Sequence, residues 1–359
     1  MNAVSAIINT SALVHNIEHI KKLVPKSKII AVVKANAYGH GLFLVANTLV
    51  DHVDAFAVAR IDEAISMRNK GVQKPIILLE GFFADEDVEL ISNYNLTTAV
   101  HDKEQVEAIE NARIDKPISC FFKINIGMHR LGANKDEIEE LKQRLNACKN
   151  VVKPLGLISH LSVADTAGLE DYNNEQIEYF HKIAASFDGD LCLANSAGIL
   201  SWPKSHTDWV RPGIILYGIS PFADKCGYDH NLEPVMTLKS RLIAVRRVKQ
   251  GDRVGYGAAW RAERDTVLGI VATGYGDGYP RNAPNGTPVL INGREVPTAG
   301  HVCMDMLFVD LGPDSKDKVG DEAILWGDGL PVEKVASRCG TIPYELVCHI
   351  MPRVNVECI

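Results

Sequence analysis

Lys34 is the residue of this chain whose setting most suggests covalent chemistry. It follows the apolar run Ala-Val-Val at 31–33 and precedes a turn of small residues that contains Tyr38 and His40. A lysine that emerges from a buried strand loses water, which disfavours the ammonium form and makes a free amine accessible near neutral pH. A free amine forms a Schiff base with carbonyl compounds, and pyridoxal 5′-phosphate (PLP) is a frequent partner of such a lysine. The alternative for Lys34 is an ordinary lysine whose ammonium reaches solvent from a strand end.

Three further segments place polar residues directly after apolar runs. His160 ends one run, Asn195 and Ser196 follow a second, and Arg211 follows an apolar pair. Small hydroxyl and backbone donors at a strand-to-helix turn suit an anion, although Asn195 and Ser196 equally suit helix N-capping. Gly213 lets the backbone approach a ligand closely. Taken alone, His160 suits a core histidine and Arg211 a surface ion pair, so their significance depends on a shared position in the fold.

The elements that would position these residues form a repeating pattern from residue 10 to about residue 221. The predicted strands are short apolar runs bounded by turns, and they cover 28–33, 55–58, 75–79, 96–100, 120–126, 156–161, 191–194 and 214–217. Helix-like segments separate most of them, for example 103–111, 136–147 and 174–186. Apolar runs that alternate with helices predict parallel strands with helical crossovers.

Eight such units in this length predict an N-terminal (β/α)8 barrel of the TIM type, with a doubly wound open sheet as the alternative. The carboxyl ends of barrel strands converge on one face, where active sites form. The barrel would therefore bring Lys34, His160, Ser196 and Arg211 together.

The pattern changes after about residue 222, where helical periods become rare. Strand-like segments broken by Gly, Pro and Asp cover 235–248, 267–273, 288–291, 306–309 and 323–326, and one helical period covers 331–338. This pattern predicts a mostly-β C-terminal domain. We expect the barrel domain over 9–225 and the β-rich domain over 226–359, with residues 1–8 forming a strand that joins the C-terminal domain.

Composition excludes several classes of function. The 359 residues carry a formal net charge of −7, which gives no electrostatic reason to expect nucleic acid or an anionic membrane as a partner. The N-terminus lacks the pattern of a secretory signal, and no apolar run is long enough to span a bilayer. Eight scattered cysteines without a C-x-x-C pair predict reduced thiols in the cytoplasm, and neither a disulfide framework nor a metal site.

The string Lys-Ala-Asn-Ala-Tyr-Gly-His-Gly at 34–41 closely resembles the PLP-attachment motif of the alanine racemase family. Other segments resemble that family in the same order along the whole chain, and they lie at 122–132, 193–198, 210–218, 254–260, 274–281, 299–305 and 341–345. The first motif and the Arg-Pro-Gly segment at 211–213 are the specific ones. Two positions depart from the family, which commonly has aspartate at Asn125 and arginine at His301; the departure at His301 is expected to alter the substrate channel or the dimer contact.

The resemblance implies a role for each matched residue. Lys34 and Tyr256 would be the two bases, acting on the D-face and the L-face, with Tyr256 supplied by the partner subunit of a homodimer. The cofactor would be bound by Lys34, Tyr38, His160, Asn195, Ser196, Arg211, Gly213, Ile214 and Tyr344. The substrate carboxylate would contact Arg130, Met304 and Asp305, and the substrate channel would include Asp165, Tyr275 and Arg281. Lys123 would be carbamylated and would hold Arg130.

The implied activity is interconversion of L-alanine and D-alanine, for peptidoglycan synthesis or for alanine catabolism. Three alternatives stay open at this point. They are a PLP-dependent decarboxylase of the same architecture, a non-catalytic PLP carrier, and a racemase of another small amino acid such as serine. Arg211 and Tyr256 argue against the decarboxylase, and the C-terminal domain argues against the carrier.

Overall fold

A closed barrel of eight parallel strands forms the first part of the chain. The structure is a computed structural model that describes residues 3–359. Strand β1 (Ser5–Ile8) and helix α1 (Thr10–Leu23) precede the barrel. The barrel strands are β2 (Lys28–Val32), β3 (Ala55–Val58), β4 (Ile76–Leu78), β5 (Thr97–Val100), β6 (Ser119–Lys123), β7 (Gly156–Ile158), β8 (Leu191–Cys192) and β9 (Trp209–Val210). Each pairs with the next, and β9 closes the barrel on β2. The predicted TIM-type architecture is confirmed.

Seven helices follow the first seven barrel strands and cover them from outside. They are α2 (Leu42–Leu49), α3 (Ile61–Asn69), α4 (Asp87–Asn93), α5 (Lys103–Asn111), α6 (Ile138–Ala147), α7 (Glu170–Ala184) and α8 (Ser196–Ser201). The barrel strands are buried along almost their whole length, which explains why they read as continuous apolar runs without alternation. The helices instead alternate buried and exposed residues with a helical period.

The eighth strand lies earlier in the chain than the sequence predicts. The run Ile214–Tyr217, expected to be a strand, is a 3₁₀-helix, and the strand is Trp209–Val210. Pro212 has no N–H for a ladder, and the amide of Leu216 bonds the carbonyl of Gly213, so the chain turns directly after the barrel closes. A two-residue strand carries no periodic signal, whereas four apolar residues resemble a buried strand. The correction puts Arg211 directly after a strand.

The second part of the chain is mostly β, as predicted. Its strands are β10 (Met236–Val248), β11 (Arg253–Val254), β12 (Trp260–Arg261), β13 (Thr266–Val271), β14 (Pro288–Ile291), β15 (Arg294–Pro297), β16 (Leu307–Asp310), β17 (Glu322–Trp326) and β18 (Asn355–Cys358), with helices α9 (Val332–Cys339) and α10 (Pro343–Cys348). The central path of the large sheet runs β15-β14-β17-β10-β1-β18, and β13 joins β10 to β16. Strand β1 thus pairs with β10 and β18.

The chain forms two compact units whose residues are not contiguous. One contains residues 3–15, 38–40 and 217–359, and the other contains 16–37 and 41–216. The domain bounds expected from the sequence, 9–225 and 226–359, stay a prediction. Over residues 3–359, no helix is long and apolar enough to cross a membrane, and no group of three His, Cys, Asp or Glu residues is arranged to hold a metal ion.

Candidate active site

The backbone after Lys34 makes a left-handed turn. Lys34 is half-buried two residues beyond the end of β2. The next four residues, Ala35 to Tyr38, have φ between 52° and 54°. Left-handed backbone costs roughly 1–2 kcal/mol for each residue with a Cβ, so a run of four is strained and needs compensating contacts.

Hydrogen bonds from side chains supply that compensation. The amide of Ala35 donates to a carboxylate oxygen of Glu63 in α3 at 2.7 Å. The side-chain Oδ1 of Asn36 accepts from the amide of Leu42 at 2.8 Å. The backbone carbonyl of Asn36 accepts from the amide of Gly41 at 3.0 Å. The turn therefore redirects the chain sharply after Lys34 and fixes the lysine at the strand end.

Arg211 is buried at the same end of the barrel, directly after β9. One of its terminal nitrogens, Nη1, donates to the carbonyl and to Sγ of Cys192, at 3.2 and 3.0 Å. The other, Nη2, donates to the carbonyl of Ser159 at 2.6 Å and the carbonyl of Leu193 at 3.3 Å. Backbone carbonyls on the ends of two neighbouring strands thus hold the guanidinium, and the structure describes no carboxylate paired with it.

His160 lies beside Arg211 as a neutral imidazole. Nη2 of Arg211 donates to Nδ1 of His160 at 3.3 Å, which requires a lone pair on Nδ1. Burial lowers the pKa of His160 well below its usual range, and the charges of Arg211, Arg130, Lys123 and Lys34 lower it further. Hydrogen bonding and electrostatics agree that His160 accepts a bond from Arg211 and carries no charge.

Lys123, the last residue of β6, adds another buried cation to this group. Its Nζ donates to the carbonyl of Leu79 at 2.8 Å. Burial is the main reason that its pKa falls from 10.5 to about 7; Arg211, Arg130 and Lys34 lower it too, and Glu80 partly opposes them. Four cationic side chains therefore influence one another at the strand ends, and such a concentration of positive charge suits an anionic ligand.

Asn195 and Ser196 build the corner after β8. Asn195 caps α8, because its Oδ1 accepts from the amide of Gly198 at 2.9 Å, and its Nδ2 donates to the carbonyl of Leu161 at 3.2 Å. The hydroxyl of Ser196 accepts from the amide of Gly213 at 2.9 Å. Capping thus accounts for Asn195. Ser196 and Gly213 form one hydrogen-bonded corner, and the buried Ile214 follows Gly213 directly.

Arg130 and Asp165 lie in loops of the barrel unit. Both side chains are exposed. Arg130 follows β6 in the loop that spans residues 125–132, and Asp165 follows β7. The charge of Arg130 lowers the pKa of both Lys123 and His160, which places Arg130 with the cations at the strand ends. No contact brings Asp165 into that group.

Tyr38 and Tyr344 belong to an aromatic cluster in the other compact unit. The ring of Tyr38 lies 5.0 Å from that of Tyr217 and 6.0 Å from that of Tyr344. Burial raises the pKa of Tyr38 far above its usual value, with a smaller contribution from Cys348, so its hydroxyl keeps its proton and can donate a hydrogen bond.

Tyr256 projects from a glycine turn between β11 and β12. Gly255 and Gly257 both have positive φ, 72° and 68°. The side chain of Tyr256 is 72 % exposed, which is the largest exposure among the large apolar and aromatic residues of the chain that the structure describes. An aromatic side chain held out on a tight turn has its phenol available to another surface.

Tyr275, Arg281, Met304 and Asp305 occupy two adjoining loops of this unit, and all four are exposed. The amide of Tyr275 donates to the carbonyl of Cys303 at 3.0 Å, which joins the loops through their backbones. His301 is also exposed and lies in the same loop as Met304 and Asp305.

Two residues that the sequence interpretation did not single out hold these parts in place. Cys192 accepts from Arg211, and Arg353 bonds Asp277 at 2.7 Å and Asp305 at 2.8 Å. Cys192 reads as one more apolar strand residue, and only the pairing of Cys192 with Trp209 brings it next to Arg211. Arg353 lies 48 residues from Asp305, too far for any local pattern to connect them.

Comparison with known proteins agrees with this geometry. Residues 8–221 match the family model of the alanine racemase N-terminal domain, and residues 235–358 match the model of the C-terminal domain. The alanine racemase of Aeromonas hydrophila is 56 % identical over 357 residues, which are 99 % of each chain. That of Vibrio parahaemolyticus is 55 % identical over 99 % of each chain. The crystal structure of a biosynthetic alanine racemase from Pseudomonas aeruginosa has a TM-score of 0.96 at 42 % identity and covers all of both chains.

Proposed function

The chain belongs to the alanine racemase family, a family of PLP-dependent isomerases, and from this premise we propose that it interconverts L-alanine and D-alanine by a two-base mechanism. Its relatives are named alanine racemase, which supports alanine as the substrate. The product would serve peptidoglycan synthesis as D-alanine or catabolism as L-alanine. The eight free cysteines are consistent with action in the cytoplasm.

The residues at the strand ends fit PLP. Lys34 would hold the cofactor covalently through its amine, and Arg211 with His160 behind it would face the pyridine nitrogen. The phosphate would be bound by Tyr38, Tyr344 and the corner of Ser196, Gly213 and Ile214, with Asn195 capping the helix beside it. When bound, PLP delocalises the negative charge that forms when an amino acid loses its α-proton.

Arg211 is the observation that carries this proposal. A guanidinium in a protein does not give up a proton, so Arg211 would leave the pyridine nitrogen unprotonated. An unprotonated pyridine ring withdraws electrons less strongly. Protonation at the wrong carbon, the event that would lead to transamination, is therefore limited. Backbone carbonyls and the neutral His160 hold the guanidinium of Arg211 in place. The structure describes no carboxylate paired with this guanidinium that could take over its position at the pyridine nitrogen.

Lys34 and Tyr256 would exchange protons with the two faces of the substrate α-carbon. A positioned acid or base typically contributes about 10²–10⁴-fold to a rate. Lys34, once released by the incoming amino acid, would act on the D-face and Tyr256 on the L-face. The exposure of Tyr256 supports its donation to the site of a second subunit, so we propose a homodimer with shared active sites.

Arg130, Met304 and Asp305 would bind the substrate carboxylate. Asp165, Tyr275 and Arg281 would line the substrate channel. Lys123 would be carbamylated, because a pKa of about 7 leaves much of its amine neutral at physiological pH. The neutral amine attacks carbon dioxide, a C–N bond forms, and one proton is released. The resulting anion would turn repulsion between Lys123 and Arg130 into attraction. An intact mass measured under carbon dioxide that shows only unmodified Lys123 would contradict this.

Incubation of the PLP-loaded protein with L-alanine in D₂O tests the proposal directly. Chiral chromatography follows D-alanine, and NMR follows deuterium at the α-carbon. D-Alanine that carries deuterium is the expected result. Exchange at L-alanine without inversion would mean that only the L-face base, assigned to Tyr256, is working, and it would contradict the role of Lys34 on the D-face. Release of carbon dioxide from ornithine, lysine or diaminopimelate would favour the decarboxylase, and racemisation of serine in preference to alanine would change the substrate.

Tyr256→Phe separates catalysis from cofactor binding. The variant is expected to retain PLP, measured by its absorbance, and to lose racemisation. Tyr228→Phe is the matched control, since Tyr228 is also an exposed tyrosine of the same unit and has no role in the proposed site. Full activity of Tyr256→Phe would overturn the role of Tyr256 in the two-base mechanism.

A further inference from the structure

Asn125 lies at the base of the loop that carries Arg130. The loop leaves the barrel after β6 and returns at Ala133. Its two ends are joined by the amide of Asn125, which donates to the carbonyl of Ala133 at 3.0 Å, and by the amide of Ala133, which donates to the carbonyl of Lys123 at 2.9 Å. Any residue except proline at position 125 could make the first of these bonds, because it involves only the backbone.

The side chain of Asn125 makes four further hydrogen bonds. Its Oδ1 accepts from the amides of Gly127 and His129, at 3.0 and 3.1 Å. Its Nδ2 lies 2.9 Å from Nδ1 of His129 and donates to Oδ1 of Asn134 at 3.2 Å. Both functional groups of one amide are therefore used, in the loop itself and at Asn134 just beyond its end.

The backbone that these bonds hold is an unusual one. His129 has a φ of 53°, in the left-handed region that few residues with a Cβ adopt. Gly127 and Gly132 also have positive φ, and a Cβ on Gly132 would lie 2.5 Å from the backbone of Asn125. Tyr172 fixes the outer side of the loop by donating to the carbonyl of Gly127 at 3.0 Å. Arg130 follows His129 directly, so the conformation of His129 sets the direction in which Arg130 leaves the backbone.

We propose that Asn125 is a positioning residue for Arg130, and that it acts by holding His129 in the left-handed conformation from both its backbone and its ring. The ring contact selects one tautomer of His129, because Nδ2 of Asn125 is a donor and Nδ1 must then carry the lone pair. An aspartate, common at this position in the family, repeats the two bonds from the backbone amides and cannot make the two donations. The inference rests on the proposed role of Arg130 in binding the alanine carboxylate.

Steady-state kinetics of three variants test the inference. Asn125→Ala removes all four bonds, and we expect it to raise KM for L-alanine about tenfold while kcat changes by less than about threefold. Asn125→Asp keeps the two acceptances, and we expect about a threefold rise in KM. Arg130→Ala is expected to raise KM more than either. Because the two enantiomers have equal free energies, kcat/KM must fall by the same factor in both directions.

Controls separate positioning from damage to the fold. PLP absorbance and the unfolding temperature should stay close to those of the parent for Asn125→Asp, even if Asn125→Ala is poorly folded. In the parent, ¹⁵N NMR of histidine should show His129 with its proton on Nε2, and this signal should change in Asn125→Asp. An unchanged KM in both Asn125 variants, or His129 protonated on Nδ1 alone, would overturn the inference while leaving the racemase proposal intact. An unchanged KM in Arg130→Ala would overturn both the role of Arg130 and this inference.

Discussion

At the scale of single residues, the site is defined by buried cations that have few anionic partners. Arg211 bonds carbonyls and a thiol, and Lys123 bonds one carbonyl. Each is costly to bury alone, and together they create a demand for negative charge at the strand ends. The substrate carboxylate, a cofactor phosphate and a carbamate on Lys123 are the groups that would meet this demand.

Exchange of Arg211 for an acid should change the outcome of the reaction. Arg211→Glu places a carboxyl group where it can protonate the pyridine nitrogen, so we expect slower racemisation and a higher ratio of transamination to racemisation. The ratio is measured from pyruvate and D-alanine formed in the same incubation. Arg211→Lys is the matched control, because it keeps a cation and loses the second donor group. An unchanged ratio in Arg211→Glu would refute the role proposed for Arg211.

The pKa of Lys123 predicts a specific dependence of stability on pH. Its folded value of about 7 lies below the unfolded value near 10.5, so the unfolded chain binds more protons between these pH values. Stability should therefore rise with pH across this window, while below about pH 7 the folded state carries the full cost of the buried ammonium. Lys123→Met should be most stabilised relative to the parent at low pH, and its advantage should shrink as pH rises.

Urea unfolding in buffers free of carbon dioxide checks this prediction, since a carbamate would abolish the titration. Lys116→Met serves as the control, because Lys116 is exposed. A difference between Lys123→Met and the parent that stays constant across the window would show that the ammonium is not desolvated in the folded chain.

At the scale of elements, the left-handed turn between β2 and α2 is the feature that most constrains the sequence. Gly39 continues it with a φ of 79°, and a Cβ on Gly39 would lie 1.9 Å from the carbonyl oxygen of Val347. We expect Gly39→Ala to destabilise the protein by about 2–4 kcal/mol, from strain and overlap together. Gly71→Ala isolates the conformational part, because Gly71 has a φ of 89° and open space around it. Equal losses in the two variants, measured by denaturant unfolding, would contradict the close approach.

Arg353 joins the loop that carries Tyr275 to the loop that carries Met304. We expect its replacement to loosen both loops. It bonds the buried Asp277, and Asp277 in turn accepts from the amide of Gly274 at 2.9 Å. Arg353→Gln removes the ion pair of Asp277, and we expect a loss of about 1–2 kcal/mol in unfolding free energy with a higher KM for alanine. Arg246→Gln, a change at another exposed arginine of the same unit, is the comparison. Identical unfolding curves and KM values for the two variants would exclude a role for this contact.

Sequence periodicity was sufficient to predict most helices and strands. It failed where pairing with a distant strand determines whether a segment is a strand. Seven barrel strands were predicted close to their observed positions because each lies in a mostly apolar run bounded by turn residues. Trp209–Val210 was missed because only two apolar residues stand between Asp208 and Arg211, too few to form a recognisable run. Ile214–Tyr217 was predicted wrongly because apolar character alone does not separate a strand from a buried 3₁₀-helix. The left-handed turn after Lys34 could not be predicted from the sequence either, since Ala35 and Ala37 have no intrinsic preference for left-handed backbone.

The candidate site shows the same division. Lys34 and His160 could be found from their positions after apolar runs, and the barrel prediction then brought them to one face. The partners that hold Arg211 could not be found in this way, since they are backbone carbonyls and Cys192, which local patterns do not distinguish. The conformation of His129 and its contact with Asn125 also depend on the closed loop, which no periodicity encodes.

At the scale of the whole molecule, the two proposed bases belong to different compact units of the chain. Lys34 lies in the unit that contains the barrel, and Tyr256 lies in the unit built around the large sheet. The exposed turn that carries Tyr256 supplies a phenol with no described hydrogen-bond partner. A homodimer that shares its active sites requires each subunit to contribute one base to each of two sites.

Mixed dimers test that requirement without a structure of the complex. Lys34→Ala and Tyr256→Phe should each be inactive as pure proteins. In a heterodimer of the two, one site combines the intact Lys34 of one subunit with the intact Tyr256 of the other, and the second site lacks both. Random mixing makes half of the dimers heterodimers, so about one quarter of the parent activity should return after unfolding and refolding the two variants together. If Tyr256 acted on Lys34 of its own chain, every site would lack one base and no activity would return. Mixing without subunit exchange is the control, and it should stay inactive in either case.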